Sequence, residues 1–495
     1  MKAVAHVLAV WVALLSTGCA VGPNYKRPAA PVPPAYKEEL AAEATEESWK
    51  AAEPRDQLLR GKWWEAFGDP ELNPLEDQVG SSNQSVAQAE AAFRGARAAV
   101  RGARAELFPT VTASPSVTRS HPSQNSSTAP AGPSAATITS YELPIDLSYE
   151  ADVWGRIRRN VEGSVASAQA SAANLETVRL TMQAELAVDY FLLRGLDAQK
   201  QLFDHTVAAY ERALQLTINR HDQGVASGVD VAQAETQLYT TRAQATDLTV
   251  ARAQLEHAIA ILAGRPPGDF TILSAPVAYA PPPVPVGLPS ELLERRPDIA
   301  ASERRMAAAN AQIGVAKAAF FPRLLLSASG GYQSTKLAGL FSLASRFWAI
   351  GPSLAATLFD GGRRRATREQ AQASYDGAVA GYRQTVLNAF QEVEDNLAAL
   401  RILADESTQQ ADAVAAAERS LALAMNRYQA GITTYLEVIT AQGAALANER
   451  DAVDILTRRM TASVNLIKAL GGGWHEPSPW PLPRSPVGQN QEARP

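Results

Sequence analysis

The stretch WGRIRRNVEGSVASAQASAANLETVRL, residues 154–180, opens a run without proline that continues to residue 223. Apolar side chains in this run recur mainly at steps of three, four or seven residues, which is the spacing of a helix that packs along one seam. At about 1.5 Å per residue, the helix predicted at 155–223 is on the order of 100 Å long. The apolar positions are Leu175, Val178, Met182, Leu186, Leu193, Leu196, Phe203, Val207, Tyr210 and Leu214.

The same pattern returns later in the chain, where a second long helix is predicted at 362–430. Three short landmarks recur at one offset of 207 residues, as 361 minus 154 shows. A constant offset over three landmarks indicates an internal duplication. The paired landmarks are WGR at 154–156 with GGR at 361–363, NR at 219–220 with NR at 426–427, and LAG at 262–264 with ALG at 469–471.

Shorter helices are predicted beside the two long ones. Much of the 46% hydrophobic content is alanine, which favours helix and lets helices approach closely but does not fill a wide core. The fold is therefore predicted to be mainly α, a wall of laterally packed helices. A filamentous coiled coil is the alternative that this feature alone leaves open. The shorter helices are predicted at 75–106, 229–264, 298–319 and 435–469.

Each repeat also contains a predicted β-hairpin, at 107–153 and at 321–360, and these strands argue against a filament. Apolar and polar residues alternate in both hairpins, and a period of two gives a strand one apolar face and one different face. The alternating apolar residues are Tyr141, Leu143, Ile145, Leu147 and Tyr149 in the first hairpin, and Leu324, Leu326, Ala328, Trp348, Ile350, Leu354, Ala356 and Leu358 in the second.

Four strands per chain cannot close a barrel. If the apolar faces contact lipid, the edges of the sheet must be paired by other copies of the chain. Two chains would give eight strands, whose interior is filled by side chains. Three chains would give twelve, an even number suited to an outer membrane pore. We therefore expect a trimer, and the alternative is a hairpin pair packed on its own helices.

The first residues predict export. Lys2 precedes the apolar residues 7–15 and a small-residue site, which together are typical of a secretory signal, here 1–18. The apolar run is shorter than the roughly 20 residues that span a bilayer. Cys19, the only cysteine in 495 residues, is predicted to carry a covalent lipid. Ser16 departs from the lipoprotein signal, which usually carries Leu there.

Ala20 follows the predicted lipid site. In bacterial lipoproteins an Asp at that position often retains the protein at the inner membrane, so Ala20 favours the outer one. The predicted location is therefore the cell outer membrane, with a lipid anchor and a body that extends into the periplasm.

Composition and motifs argue against several classes of function. A formal net charge of −5 and a pI near 5.8 are not typical of a nucleic-acid binder. The sequence has no Walker loop, no HExxH motif and no nucleophile elbow, and its six histidines are scattered. We expect no enzyme activity, no metal site and no cofactor, apart from the covalent lipid on Cys19.

Three further stretches are specific when taken together. They are CAVGPNYKRP at 19–28, WWEAFGDPEL at 63–72, and RRPDI at 295–299, which continues to FFP at 320–322. Jointly they resemble the TolC-like outer membrane efflux factors, in particular the lipoprotein branch that serves resistance–nodulation–division (RND) pumps. The resemblance covers nearly the whole mature chain.

The resemblance implies a trimeric tube with a twelve-stranded transmembrane β-barrel and a twelve-helix periplasmic α-barrel. The apolar strip 271–289 would cross from one repeat to the other in a mixed belt around the helices. The implied function is passive conduction of drugs or other small toxic compounds across the outer membrane. The implied partners are a periplasmic adaptor, an inner-membrane RND pump, outer membrane lipid and two further copies of the chain, with no nucleic acid.

The chain is accordingly divided into six segments. They are the signal peptide at 1–18, a lipidated N-terminal tether and equatorial segment at 19–60, the first repeat at 61–265, an equatorial linker at 266–290, the second repeat at 291–473, and a proline-rich tail at 474–495.

The turns at Gly224 and Gly431 would form the periplasmic tips, which contact the adaptor. Members of the family constrict the lumen near the second tip with a Leu, and with an Asp one turn later. The matching positions here are Leu436 and Thr440. Gln429 stands where a basic residue is common, and Glu437 lies about 100° away around the helix. The resemblance therefore predicts a periplasmic gate made by Leu436, Thr440, Glu437 and Gln429.

Two rival functions stay open at this point. The chain could be an outer membrane duct for protein secretion, although the lipidated start and RRPDI at 295–299 favour efflux. It could also be a structural periplasmic coiled-coil lipoprotein, although the alternating strands argue against that.

Overall fold

The computed structural model describes residues 20–30, 33, 36–38, 61–121, 123, 137–276, 280–282, 284 and 296–472. The chain divides into two compact units. The first unit comprises Met1–Pro28, Phe93–Ser171 and Ser302–Tyr382, and the second comprises Ala29–Ala92, Ala172–Ala301 and Arg383–Pro495.

Long helices dominate the described residues, and the prediction of a mainly α fold with a small sheet is confirmed. None of these helices combines the length and the apolar character that crossing a bilayer requires. The helices are α1 (Leu72–Ser82), α2 (Gln84–Ala105), α3 (Arg156–Asp222), α4 (Gly228–Leu262), α5 (Pro297–Ala318), α6 (Arg363–Gln429) and α7 (Tyr435–Ala469).

The predicted duplication is confirmed by the helix bounds. The long helices α3 and α6 each have 67 residues, and α4 and α7 each have 35. The start of α6 lies 207 residues after that of α3, because 363 minus 156 is 207. Helices α2 and α5 match in length, at 22 residues each. They are 213 residues apart, as 297 minus 84 shows, so the copies differ in length where the strands lie.

The single helix predicted at 75–106 is wrong, because the chain breaks between α1 and α2 at Asn83. The Asn83 backbone is extended, and its Oδ1 accepts hydrogen bonds from the backbone N–H of Ser85 (2.9 Å) and Val86 (3.1 Å). Its Nδ2 donates to the Leu262 carbonyl at 2.8 Å. Such side-chain bonds to the backbone compete with helix continuation and favour a new N-cap.

The first unit contains one antiparallel sheet. Its strands are β1 (Thr110–Ala113), β2 (Ser116–Ser120), β3 (Ile138–Ala151), β4 (Arg323–Ser334) and β5 (Arg346–Ala355). Both β1 and β2 pair with β3, which pairs with β4, and β4 pairs with β5. The two predicted hairpins therefore lie side by side, joined by the β3–β4 pairing.

The prediction of the strands requires two corrections. The first strand position is occupied by two short strands that both pair with β3. The interruption falls at 114–115, where Pro115 has no N–H to donate to a ladder. The sheet has five strands in four positions. The second correction is at the other edge, where β5 ends at Ala355, so Ala356 and Leu358 lie beyond it.

The register of the sheet places the predicted apolar residues on one face. Leu147 lies opposite Ala328, and Ala328 lies opposite Ile350. This face is not covered by the chain itself, since Trp348 is 80% exposed and Ile350 is 76% exposed. The hairpins are therefore not packed against their own helices through this face, and that alternative is wrong for the described residues.

The described residues after the predicted lipid site, at the start of the predicted tether, contact other segments of the first unit. The Val21 N–H donates to the Trp154 carbonyl at 3.0 Å. Gly22 lies so close to Gly314 that an added Cβ would be 2.6 Å from its Cα. The Tyr25 hydroxyl donates to Glu303 at 2.8 Å.

The second unit has a core of large side chains, where the sequence predicted only closely packed alanine-rich helices. Trp63 and Trp64 lie in a short 3-10 helix, Trp63–Phe67, and are buried. Around them pack Leu72, Leu75, Val79, Leu186, Tyr190, Phe191, Leu193, Ile259, Phe270, Ile272, Met460, Val464 and Ile467.

The described start of the predicted equatorial linker is fixed to this core by charged side chains. Arg252 donates to the Ile272 carbonyl at 2.7 Å, and Arg194 donates to the Leu273 carbonyl at 2.6 Å. Asp197 accepts from the Ser274 hydroxyl at 2.9 Å. These bonds satisfy two backbone carbonyls and one hydroxyl of the linker at partly buried positions.

Glu76 on α1 is a buried carboxyl with no hydrogen-bond partner for either oxygen among the described residues. Burial, and secondarily the neighbouring Asp77, raises the pKa of Glu76 well above its usual value. The folded chain therefore binds this proton more tightly than the unfolded chain. Stability is greatest when the carboxyl is neutral and is lost as the pH rises through the folded-state pKa.

We expect Glu76→Gln to unfold at a higher temperature than the wild type at about pH 8, with a smaller difference at about pH 5. The amide cannot ionise, so it avoids the cost of a buried charge, roughly 1–3 kcal/mol or more. Thermal melts followed by circular dichroism measure the shift. Glu235→Gln, at an exposed position on α4, is the matched control, and an equal shift at both pH values would contradict the argument.

Candidate functional site

Two helical turns in the second unit carry the predicted site. Gly224 follows α3 and Gly431 follows α6, with φ angles of 76° and 74°. These left-handed conformations favour glycine. The Val225 N–H donates to the Arg220 carbonyl at 2.8 Å, and the Ile432 N–H donates to the Arg427 carbonyl at 2.9 Å. Both glycines end their helices as predicted, while contact with an adaptor stays a prediction.

The two turns differ in how the next helix begins. At the first turn, Ser227 and Asp230 form a capping box in which each side chain accepts from the other residue's N–H, at 3.2 and 2.9 Å. At the second turn, Thr434 makes no such side-chain bond. Glu437, in the position of Asp230, instead forms an ion pair with Arg427 at 3.7 Å. The first turn is therefore stabilised by a capping box that the second turn lacks.

The two turns are bonded to each other through Arg220. Its Nη1 donates to the Gln429 carbonyl at 2.9 Å, and its guanidinium lies 4.8 Å from the ring centre of Tyr428. We call this contact the tip latch. Gln429 was predicted as a gate residue because of its side chain, but in the tip latch it is the backbone carbonyl of Gln429 that accepts the hydrogen bond. Arg220 was not singled out from the sequence, although the offset of 207 residues pairs it with Arg427.

A small aromatic cluster adjoins the tip latch through Tyr428. The rings of Tyr428 and Tyr435 are 5.2 Å apart, and Tyr435 and Val438 are buried. Burial, with a further contribution from Tyr428 and Tyr210, raises the pKa of Tyr435 to about 12. The phenol stays neutral at physiological pH, which suits an apolar cluster.

Leu436 and Thr440 lie on one exposed face of α7, one turn apart. Leu436 is 57% exposed, whereas its neighbours Tyr435 and Val438 are at 1% and 0%. The Thr440 hydroxyl donates to the Leu436 carbonyl at 2.9 Å. Leu436 is therefore not a core residue of the single chain. Glu437 is exposed and faces Arg427, away from this pair.

Leu436 also borders a shallow groove between α4 and α7 with a volume of about 510 Å³. The groove is mostly apolar and opens to solvent. It is lined by Gly228, Val229, Ala232, Gln233, Thr236, Gln237, Leu436 and Ile439.

The predicted lipid site, Cys19, lies outside the described residues. Its neighbour Ala20 is described and lies in the first unit, where it contacts Gly155. Gly155 follows shortly after the end of β3 at Ala151. In the described part of the chain, no group of three or more His, Cys, Asp and Glu residues could hold a metal ion.

Known proteins resemble this chain in both sequence and architecture. A sequence model of the family described as outer membrane efflux protein matches residues 75–265 and 288–472, one match for each repeat. The outer membrane protein OprJ of Pseudomonas aeruginosa is 33% identical over 481 residues, covering 95% of this chain and 96% of OprJ. The toluene efflux pump outer membrane protein TtgF of Pseudomonas putida is 33% identical over 483 residues, covering 96% and 98%.

Solved structures agree with these relatives. The outer-membrane channel OprN has a TM-score of 0.84 at 32% identity, covering 93% of this chain and 100% of OprN. The outer membrane protein VceC of Vibrio cholerae has a TM-score of 0.76 at 30% identity, covering 83% and 98%. The chain belongs to the outer membrane efflux protein family and is an outer membrane channel of the tripartite efflux type.

Proposed function

We propose that three copies of the chain form one channel, with a twelve-stranded β-barrel and a helical barrel of twelve helices. The open sheet supports this most directly. It has four strand positions, with β1 and β2 at one edge and β5 at the other. Edges exposed to lipid must be paired, and twelve strands are the smallest closed set that leaves a passage.

The two faces of the sheet support the same arrangement. The face with Leu147, Ala328 and Ile350 is apolar and suits lipid. The residues on the opposite face of β3 and β4 are mostly polar, as expected for the lining of an aqueous passage. They include Glu142, Asp146, Ser148, Ser327, Ser329 and Gln333.

We expect the purified protein in detergent to have the mass of three chains and to form conducting channels in planar bilayers. Light scattering measures the mass, and single-channel recording measures the conductance. A monomer or dimer that conducts would contradict the closure argument. A trimer that never conducts would instead favour the structural coiled-coil lipoprotein.

The channel is proposed to conduct passively and to dock its helix tips on a periplasmic adaptor that connects it to an RND pump. The turns at Gly224 and Gly431 are the proposed contacts. Drugs or other small toxic compounds are the proposed cargo, in keeping with the names of relatives such as the toluene efflux pump outer membrane protein TtgF. Transport of an unfolded protein in a reconstituted system would favour the secretion alternative.

A lipid on Cys19 is proposed to anchor the channel on the membrane. The position of Ala20 supports it, because Ala20 contacts Gly155 close to the end of β3. An acyl chain on the preceding residue would start where the strands end. A strand end at that level is where a membrane-spanning sheet meets the lipid headgroups.

The proposed gate is a ring of three Leu436 side chains, one from each chain. The exposure of Leu436 in the single chain supports it, since a residue that packed within one chain would be buried. A narrow apolar ring can close a passage by dewetting. Thr440 supplies no charge to that ring, so the tip latch and the packing of the tips are proposed to hold it shut.

Leu436→Ala is expected to raise the conductance of the isolated channel markedly, because a smaller side chain widens the ring. The variant should keep its melting temperature, since Leu436 is 57% exposed. Truncating a buried Leu would instead cost about 2–5 kcal/mol. Leu423→Ala, at an exposed position on α6, is the control. Lower stability with unchanged conductance would show that Leu436 is a packing residue.

Thr440→Asp is expected to increase the selectivity of the channel for cations, because three carboxylates one turn beyond Leu436 would form an anionic ring. The reversal potential in a salt gradient measures the selectivity. Thr440→Asn is the matched control, because an Asn side chain has nearly the same size as an Asp side chain but no charge. An equal change in both variants, or none in either, would place Thr440 away from the passage.

A further inference from the structure

An unbalanced set of arginines lies in the first unit where the strands of the sheet meet the helices. Arg101 and Arg104 are at the end of α2, and Arg323 begins β4. The start of α6 adds the rest. We call this set the basic junction, and its members are Arg101, Arg104, Arg323, Arg363, Arg365 and Arg368.

Side-chain contacts show that these helix ends are neighbours at one end of the strands. The end of α2 reaches the start of α3, because Glu106 lies 3.6 Å from Arg156. The segment before α3 stacks on the segment after α5, where the ring centres of Trp154 and Phe321 are 4.7 Å apart. That segment in turn contacts the start of α6, where Arg364 lies 5.4 Å from the ring centre of Phe320.

Most acidic groups near the basic junction already form ion pairs with other arginines. Glu150 pairs with Arg156 at 2.8 Å. Asp152 pairs with Arg158 at 3.2 Å, and Asp360 pairs with Arg364 at 2.7 Å.

Within the described ranges, the guanidinium groups of the basic junction have no ion-pair partner, and all but the half-buried Arg104 are exposed. Glu369 is an exposed carboxylate next to Arg368, and Glu106 shares Arg156 with Glu150. These two carboxylates offset at most two of the six charges. The basic junction therefore presents a net positive surface.

Exposed apolar side chains accompany the basic junction. Leu358 and Phe359, just before α6, are 93% and 89% exposed, and Phe108, after α2, is 69% exposed. These residues lie in the segments that connect the strands to the helices of the first unit. An apolar belt next to clustered arginines is the pattern of a surface at the boundary between hydrocarbon and lipid headgroups.

We propose that the basic junction binds the phosphate groups of anionic phospholipids in the leaflet on the helical side of the membrane. The proposal rests on the proposed function, because it requires the sheet to span that membrane. The planar guanidinium matches a phosphate with two parallel hydrogen bonds. The proposed lipid on Cys19 would enter the bilayer at the same level, since Ala20 contacts Gly155 beside Trp154.

The test compares a triple variant, Arg363→Gln, Arg365→Gln and Arg368→Gln, with a matched triple control. The control is Arg212→Gln, Arg383→Gln and Arg419→Gln, which removes three exposed arginines of α3 and α6 that also lack an ion-pair partner among the described residues. Native mass spectrometry of the purified channel counts bound phosphatidylglycerol and bound phosphatidylethanolamine at increasing lipid concentration.

The wild type and the control should prefer phosphatidylglycerol, and the junction variant should bind it roughly tenfold more weakly or worse. Equal binding by variant and control would overturn the proposal. Displacement of the lipid by inorganic phosphate alone would overturn it too, because the site would then be a phosphate site and not a lipid site.

Two further readouts separate the other positions that these arginines could occupy. A shifted reversal potential with unchanged lipid binding would place them in the passage, and loss of the trimer with unchanged lipid binding would place them between chains. Either result overturns the proposal. Single-channel recording of the wild type and of Leu436→Ala separates the two proposals. A channel that conducts without lipid preference refutes only this inference. Failure of both proteins to insert or conduct refutes the proposed function.

Discussion

The unpaired backbone groups at the two edges of the sheet are the constraint on which the structure depends. Among the described residues, no strand lies beyond β1 and β2 on one side or beyond β5 on the other. Each unsatisfied N–H or C=O group in lipid costs several kcal/mol. For a sheet that spans the membrane as proposed, one chain with two open edges is not a complete structure. Pairing of those edges by further copies of the chain is then required by hydrogen bonding alone.

The duplication gives the chain two matched helical hairpins, whose turns lie in the second unit. Because α3 equals α6 in length and α4 equals α7, the two turns end at equivalent positions, and Arg220 of one contacts Gln429 of the other. A difference in helix length of even a few residues would separate these groups, at about 1.5 Å per residue. Equal helix length is thus a requirement for the tip latch.

The sequence predicted regular features well and exceptions poorly, for physical reasons. The apolar seam and the constant offset are signals that many residues contribute to. The bounds of α3 and α6 were therefore predicted to within one residue at each end. The break at Asn83 depends on one side chain that bonds to the distant Leu262 carbonyl. The docking of Tyr25 on Glu303 is equally non-local. Contacts of this kind leave no period in a sequence.

The candidate site shows the same limit in a different form. Alignment of the repeats pairs Arg220 with Arg427, yet the two arginines have different partners: the first bonds to Gln429 of the other turn, and the second pairs with Glu437 of its own hairpin. The capping box of Ser227 closes the first turn locally, and Thr434 has no such bond. The second turn therefore depends on the first for part of its stability. The duplicated sequence has thus produced two unequal tips. The tip without a capping box is the one that contains Leu436.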